Sequence, residues 1–118
     1  MWERYNLSGQ QAMSSGRSAD AEQAFRLALQ EAEKIGAHDP KVAISCVNLA
    51  NCLRQQGRFA ESEELYKKAI TVKERAFGPL HKELIPVLEN YAKMLRAAGR
   101  SAEADKMDQK AKAIFVRP

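Results

Sequence analysis

A ten-residue pattern recurs in this chain after 42 residues. The stretch at 49–58 reads LANCLRQQGR and returns at 91–100 as YAKMLRAAGR. A fainter copy lies upstream, and the glycines of the three copies, Gly16, Gly57 and Gly99, are 41 and 42 residues apart. A fixed period in this range is typical of stacked repeat proteins, in which each unit buries its apolar face against its neighbours. The pattern therefore favours a binding scaffold over an enzyme.

Length and composition agree with a small folded array. Three copies fill the 118 residues, of which 45% are apolar, as in an ordinary folded chain. No run approaches the ~18 apolar residues that span a bilayer. The residues 1–6 lack the apolar stretch of a signal peptide, so we expect a cytoplasmic protein with no membrane partner. The net charge of +4 is interleaved along the chain, which is typical of a solvated surface.

The apolar residues recur at three- and four-residue steps, which predicts helices. In the second copy Asp39 and Pro40 indicate a helix start, and Gly57 indicates its end. Six helices are predicted, near residues 2–14, 18–35, 40–55, 59–76, 82–97 and 101–116. The expected fold is all-α, an α-solenoid of three stacked antiparallel helix pairs. A single domain is expected over 1–118, with repeats at about 2–36, 40–78 and 82–116.

Small residues occupy three matching positions in every copy. They are Gly9, Ala21 and Ala28, then Ala50, Ser62 and Ala69, and finally Ala92, Ala104 and Ala111. This pattern resembles the tetratricopeptide repeat (TPR) family, whose fold is a right-handed superhelix of helix pairs. The resemblance implies that these positions lie where two helices cross closely, so that a larger side chain would push the helices apart. The long period, with Gly78-Pro79-Leu80-His81 between units, is similar to the extended repeats of the kinesin light chain.

The resemblance implies a binding site. In that family the first helices of successive repeats line a concave groove, and transferring those positions gives Asn6, Gln10, Val47, Asn51, Arg54, Gln55, Glu89, Lys93 and Arg96, beside Glu3, Met13, Ile44, Pro86 and Ala97. The cations Arg54, Lys93 and Arg96 could bind an acidic side chain or a terminal carboxylate. The implied function is a non-catalytic protein-protein interaction scaffold that binds a peptide or helix of a partner protein in this groove.

Two other functions stay open at this point. Met107, Ile114 and Phe115 lack a closing helix, so they could form an assembly surface for a homo-oligomer, or the chain could be a fragment of a longer repeat array. RNA binding is the third class. The expected groove has no aromatic residue to stack bases and its charges nearly cancel, which makes RNA the weakest alternative.

Catalysis and cofactor binding find no support in the sequence. Cys46 and Cys52 lie six residues apart, about 240° around a helix, so we expect two buried reduced thiols rather than a disulfide or shared metal ligands. His38 and His81 occupy corresponding connectors, which suggests a turn role. The turn glycines are isolated and form no phosphate loop. We therefore expect no catalytic residue, no metal site and no cofactor.

Overall fold

The computed structural model describes residues 1–116, and within this range it contains six helices and no strand. The helices are α1 (Trp2–Ser14), α2 (Ser18–Ile35), α3 (Pro40–Gln55), α4 (Phe59–Phe77), α5 (Leu84–Ala97) and α6 (Ser101–Phe115). The all-α prediction is confirmed. Only α5 begins later than expected, at Leu84 instead of residue 82, because Glu83 donates its backbone N–H to Nδ1 of His81 at 3.0 Å in a turn that precedes the helix.

Consecutive helices pack side by side, and the closest packing joins α1 to α2, α3 to α4, and α5 to α6. These three pairs stack in chain order, since α2 packs on α3 and α4 on α5. Among helices that are not consecutive, α3 and α5 make the most contact within residues 1–116. The first helices of the pairs therefore lie on the inner side of the stack.

The helix ends follow local signals. The Oδ1 atom of Asp39 accepts a hydrogen bond from the backbone N–H of Lys41 at 2.9 Å, which confirms the predicted start of α3. Gly57 and Gly99 have φ angles of +78° and +79°, a left-handed conformation that glycine adopts without a steric penalty. These turns reverse the chain within three residues, so each helix pair packs closely.

Small residues do sit where the paired helices cross. Ala50, Ala92 and Ser62 are 0% exposed, and the hydroxyl of Ser62 donates to the carbonyl oxygen of Ala50 at 2.8 Å. At Gly9 an added Cβ would lie 2.4 Å from Cε1 of Phe25, well inside contact distance. The predicted role of these positions in close helix packing is confirmed.

The pairs are joined by a link that recurs from repeat to repeat. Nη1 of Arg58, at the second turn, donates to Glu22 of the preceding pair at 2.8 Å. Arg100, at the third turn, donates through two nitrogens to Glu63 of the preceding pair, each at 2.9 Å. Its guanidinium lowers the pKa of Glu63, whose carboxylate also accepts from the hydroxyl of Tyr91 at 2.6 Å. Each turn arginine thus fixes the register between neighbouring repeats.

The two cysteines are buried free thiols, as expected from the sequence. Burial raises the pKa of Cys46 to about 12 and also raises the pKa of Cys52. The thiol of Cys52 donates to the carbonyl oxygen of Ser18 at 3.3 Å, so it helps to pack α3 on α2. In the part of the chain that the structure describes, no helix is both long and apolar enough to cross a membrane.

Candidate partner-binding groove

Two adjoining hollows lie along the first helices of the repeats. One, of about 240 Å³, lies between α1 and α3 and is lined by Gln10, Met13, Ser14, Phe25, Asn48 and Asn51. The other, of about 160 Å³, lies between α3 and α5 and is lined by Ile44, Val47, Asn48, Lys73, Pro86 and Val87. Asn48 lines both hollows, so they adjoin each other along α3, and we call the two together the groove. This groove runs over the inner side of the stack.

Polar contacts hold α1 against α3 beside the groove. Asn48 donates through Nδ2 to Oδ1 of Asn6 at 2.8 Å, so both amides are partly engaged. Near the start of α1, Nε1 of Trp2 donates to the buried hydroxyl of Ser45 at 2.6 Å. The ammonium group of Lys41 lies 5.3 Å from the centre of the Trp2 ring, within the range of a cation–π contact. The α1 wall of the groove is thereby fixed in place.

The uncharged groove residues expected from the sequence divide into exposed and engaged side chains. Gln10 and Gln55 are exposed, and Val47 is half-buried in the floor. Asn51 is half-buried, and its Oδ1 accepts a hydrogen bond from the hydroxyl of Tyr66. That bond leaves the amide N–H groups of Asn51 as its donors toward the groove, where they could pair with a carbonyl oxygen of a bound chain.

The three expected cations differ in their surroundings. Arg54 is half-buried and donates to the carbonyl oxygen of Asn90 on α5 at 3.3 Å. Arg96 donates through Nη2 to Asp105 at 3.0 Å and to Asp108 at 2.5 Å, both on α6. These carboxylates raise the pKa of Arg96, Asp108 acting most strongly. A carboxylate ligand would therefore have to compete for Arg96.

Lys93 differs from Arg96 in its ion pairs. Its side chain is exposed, and none of the ion pairs found within residues 1–116 includes it. Glu89, one helical turn earlier, is exposed and lines a further hollow of about 310 Å³ between α5 and α6, together with Ile85, Asp108, Ala111, Lys112 and Phe115. Neither Lys93 nor Arg54 is among the residues that line the two hollows of the groove.

The expected assembly surface is exposed only in part. Ile114 is 7% exposed and packs with Leu84, Leu88 and Ala111, while Met107 is half-buried against the same cluster. Phe115 is 79% exposed. Of the three residues, Phe115 alone could meet a second copy without rearrangement of the core.

Several groove residues were not among those transferred from the family pattern. Asn48, which lines both hollows, and Val87 both lie on first helices. The recurrence of Asn48-Leu49-Ala50 as Asn90-Tyr91-Ala92 was a signal for the first of them. Lys73 comes from α4, a second helix, and its side chain is only 15% exposed in an ion pair with Glu83 at 3.4 Å. No repeat pattern indicates that a second helix reaches this groove.

Neither histidine forms part of a metal site. His81 stacks on Phe77 with ring centres 4.7 Å apart, in the connector between α4 and α5. Nε2 of His38 lies 3.0 Å from Nη1 of Arg75. Over residues 1–116 no group of three or more histidine, cysteine, aspartate or glutamate side chains is placed to hold a metal ion.

Comparison with known proteins identifies the family. The family model described as "Tetratricopeptide repeat" matches residues 5–72 and 42–115, which together cover almost the whole chain. The chain belongs to the tetratricopeptide repeat family. Domains of this family bind partner proteins and are generally non-catalytic. A comparison with curated protein sequences found no match.

Solved structures confirm the fold. The TPR domain of Arabidopsis FLU superimposes with a TM-score of 0.84 at 16% identity, over 97% of this chain and 93% of that one. The structure of BtubC (BKLC) from P. vanneervenii superimposes with a TM-score of 0.64 at 20% identity, over 97% of this chain and 63% of that one. At these identities the likeness concerns the solenoid of helix pairs alone.

Proposed function

We propose that this chain is a non-catalytic scaffold that binds a peptide or helical segment of a partner protein in the groove along α1, α3 and α5. The observation that carries the proposal is the pair of adjoining hollows that share Asn48. Their lining combines apolar side chains, such as Val47 and Val87, with the amides of Asn48 and Asn51. Apolar walls with a few polar groups are typical of a site that both buries and orients a ligand.

The charge of the groove favours an acidic ligand. The cations at the expected groove positions include the exposed Lys93 and the half-buried Arg54, both outside the lining of the two hollows. An acidic side chain or a terminal carboxylate could pair with these cations, whereas Arg96 is held by two carboxylates of α6. We therefore assign the main electrostatic role to Lys93, with Arg54 as its neighbour and Arg96 as a weaker contributor.

The proposal extends to the type of repeat and to the location of the protein. The 42-residue period and the connector around Gly78 and Pro79 support repeats of the extended type found in the kinesin light chain. We also propose a location in the cytoplasm. Self-assembly through α6 and RNA binding stay as alternatives, and no observation on the described residues favours either of them.

The ligand class can be tested with peptides selected from a random phage-displayed library on the intact protein. Bound peptides are synthesised with a fluorescent label, and their affinities are measured by anisotropy at several salt concentrations. Enrichment of acidic sequences is expected. Lys93→Ala should lower the affinity for an acidic peptide by about tenfold or more and reduce the salt dependence of that affinity. Lys106→Ala, on an exposed position of α6, is the matched control and should bind like wild type.

Ligand binding in the groove can also be followed independently by tryptophan fluorescence. Trp2 is the single tryptophan of the chain, and it lies at the end of the α1–α3 wall. A ligand that enters the hollow between these helices should change the tryptophan emission, and Val47→Asp should abolish the change. Unchanged affinity in both Lys93→Ala and Val47→Asp, in protein that keeps its helical circular dichroism, would place the binding surface outside the groove.

A further inference from the structure

A further hollow adjoins the groove at its α3–α5 end. It has a volume of about 210 Å³ and is lined by Ile44, Lys73, Phe77 and Glu83, with Pro40 and smaller apolar side chains of α4. Ile44 and Lys73 also line the hollow between α3 and α5. We call the further hollow the Phe77 hollow and its neighbour the Val47 hollow, and they meet at these two shared side chains.

Both hollows present apolar surface to solvent. Ile44 is 40% exposed and Phe77 is 43% exposed, although each is a large apolar side chain. Val47 and Val87 line the Val47 hollow. Concave apolar surface of this kind is typical of a site that buries an apolar side chain of a ligand. Each hollow can therefore take one such side chain.

Lys73 is the only cation among the residues of 1–116 that line these two hollows. Its side chain is 15% exposed, and its Nζ atom lies 3.4 Å from Oε2 of Glu83, whose side chain is 49% exposed. A charge-assisted N–H···O bond is usually about 2.7–2.9 Å long, and an ammonium group has three N–H donors. Glu83 thus holds Lys73 by one long bond, which leaves donors of the ammonium group for a second carboxylate.

A lysine at this position is not needed to build the repeat. Counted from the turn glycine, position +16 holds Ala32, Lys73 and Phe115 in the three repeats, so the second repeat alone has a charge there. Ala32 is 0% exposed and belongs to the same core cluster as Val42 of α3. A small apolar side chain therefore suffices to pack a second helix on the next repeat. Lys73 instead places a charge between two apolar hollows, where an unpaired charge is costly.

We propose that Lys73 selects the ligand of the groove: it pairs with a carboxylate side chain of the bound segment, and the two hollows take large apolar side chains on either side of that carboxylate. The favoured partner is a protein segment with an aspartate or glutamate between two large apolar residues. The inference rests on the proposed function of the groove and names the chemistry of its ligand. In the free protein Glu83 occupies the place of the ligand carboxylate, so the two carboxylates compete for Lys73.

Lys73 and Lys93 act differently on such a ligand. Lys93 is exposed and lies outside the lining of the hollows, so it attracts an acidic ligand at a distance and its effect falls with added salt. Lys73 is largely buried beside the bound segment. Its ion pair is therefore screened less, and it depends on where the carboxylate lies in the ligand sequence.

The test compares selections from a random phage-displayed peptide library on the wild type and on Lys73→Met. The wild type should enrich an acidic residue between two large apolar residues. Lys73→Met should lose this acidic preference, since methionine keeps a long apolar side chain and removes the charge. Affinities are then measured by anisotropy for one peptide selected on the wild type and for the same peptide with its central acid replaced by the matching amide.

The two peptides and the two proteins form a double-mutant cycle. The wild type should bind the amide peptide about tenfold more weakly than the acidic one, and Lys73→Met should bind the two within about twofold of each other. Glu83→Gln should bind the acidic peptide several-fold more tightly, because the competing carboxylate is removed, whereas a purely structural ion pair would give the opposite sign. Lys67→Met, at an exposed position of the same helix, is the matched control and should discriminate between the peptides like the wild type.

The outcomes separate this inference from the proposed function of the groove. A peptide that loses binding in Val47→Asp, but distinguishes acid from amide equally well in Lys73→Met and in the wild type, supports the groove and overturns the role of Lys73. Weaker binding of the acidic peptide to Glu83→Gln also overturns it. If Val47→Asp leaves the binding of every selected peptide unchanged, the groove function is wrong and this inference falls with it. Each variant is checked for its helical circular dichroism, and Lys73→Gln takes the place of Lys73→Met if that variant does not fold.

Discussion

Replacing Gly9 with alanine tests how closely α1 and α2 approach each other. The added Cβ would lie 2.4, 2.5 and 2.8 Å from Cε1, Cδ1 and Cζ of Phe25, whereas carbon atoms in contact prefer about 3.5–4.0 Å. The ring is 2% exposed and packs among Ala12, Leu49 and Leu53, so its open side is the hollow between α1 and α3 that it lines. The substitution therefore forces a shift of either the ring or the whole of α1.

Two effects of opposite sign decide the outcome of Gly9→Ala. Alanine in place of glycine inside a helix stabilises by roughly 0.5–1 kcal/mol. Overpacking a well-filled core costs typically about 1–3 kcal/mol. Because the overlap involves three atoms of one buried ring, we expect the second effect to win, with a net loss of about 1–2 kcal/mol in the free energy of unfolding.

The decrease in the free energy of unfolding is measured by urea and thermal unfolding, which are monitored by far-ultraviolet circular dichroism. A decrease of this size should lower the midpoint temperature by several degrees, at roughly 4 °C per kcal/mol for a domain of this length. Ser8→Ala is the matched control, since Ser8 is the exposed neighbour on the same helix and gains only helix propensity. It should unfold at or slightly above the wild-type temperature.

A double-mutant cycle identifies Phe25 as the cause. Phe25→Leu should destabilise the wild type by leaving unfilled space, and it should cost markedly less in the Gly9→Ala background, where the smaller side chain relieves the overlap. Gly9→Ala protein that is as stable as the wild type would refute the reasoning. Equal costs of Phe25→Leu in both backgrounds would show that the strain lies elsewhere.

Three further predictions concern the packing, the ion pairs and the thiols. Ala92→Leu, at a 0% exposed helix crossing, should lower the free energy of unfolding by about 1–3 kcal/mol, and a wild-type urea midpoint would contradict this. Arg100 lowers the pKa of Glu63 from its ordinary 4.5, so this ion pair stabilises the fold above that pH and the stabilisation is lost as the pH falls through the pKa of the folded state. On acidification the free energy of unfolding should therefore fall less for Glu63→Gln than for the wild type. Parallel plots of unfolding free energy against pH for the two proteins would contradict a stabilising role of the pair. Cys46 and Cys52 should resist iodoacetamide in the native protein at neutral pH and react on unfolding, as followed by mass spectrometry, and rapid native labelling of Cys46 would show that α3 opens readily.

Most of the fold could be predicted because the signals are local and repeated. Asp39 and Pro40 begin α3 through contacts within two residues, and Gly57 ends its turn through its own backbone conformation. The small residues recur at a fixed period, so one interpretation of a helix crossing applied to all three repeats. The start of α5 was missed by two residues because His81 accepts the backbone N–H of Glu83 and holds a turn there. Helical periodicity does not report such a side-chain contact.

The groove could be predicted only as a set of positions on helix faces. Helix geometry places Gln10, Asn51 and Lys93 at the same place in three repeats, whatever their neighbours are. Their hydrogen-bond partners depend on side chains from other helices, such as Tyr66 of α4 for Asn51. Lys73 reaches the groove from α4 for the same reason. The contacts that decide which groups are free to bind a ligand are tertiary, so they had to be observed.

The same residue type at the same repeat position can therefore have different roles. Arg54 has a following repeat, so its guanidinium bridges to the backbone of α5. Arg96 occupies the equivalent position in the third repeat, and it pairs with Asp105 and Asp108 of α6. A residue-by-residue transfer of groove function treats the two as equal, although Arg54 contacts the backbone of the next repeat and Arg96 pairs with carboxylates of its own repeat. Of these cations, Lys93 carries the positive charge that is available to a ligand. Replacing Lys93 is therefore a sharper test of acidic-peptide binding than replacing Arg96.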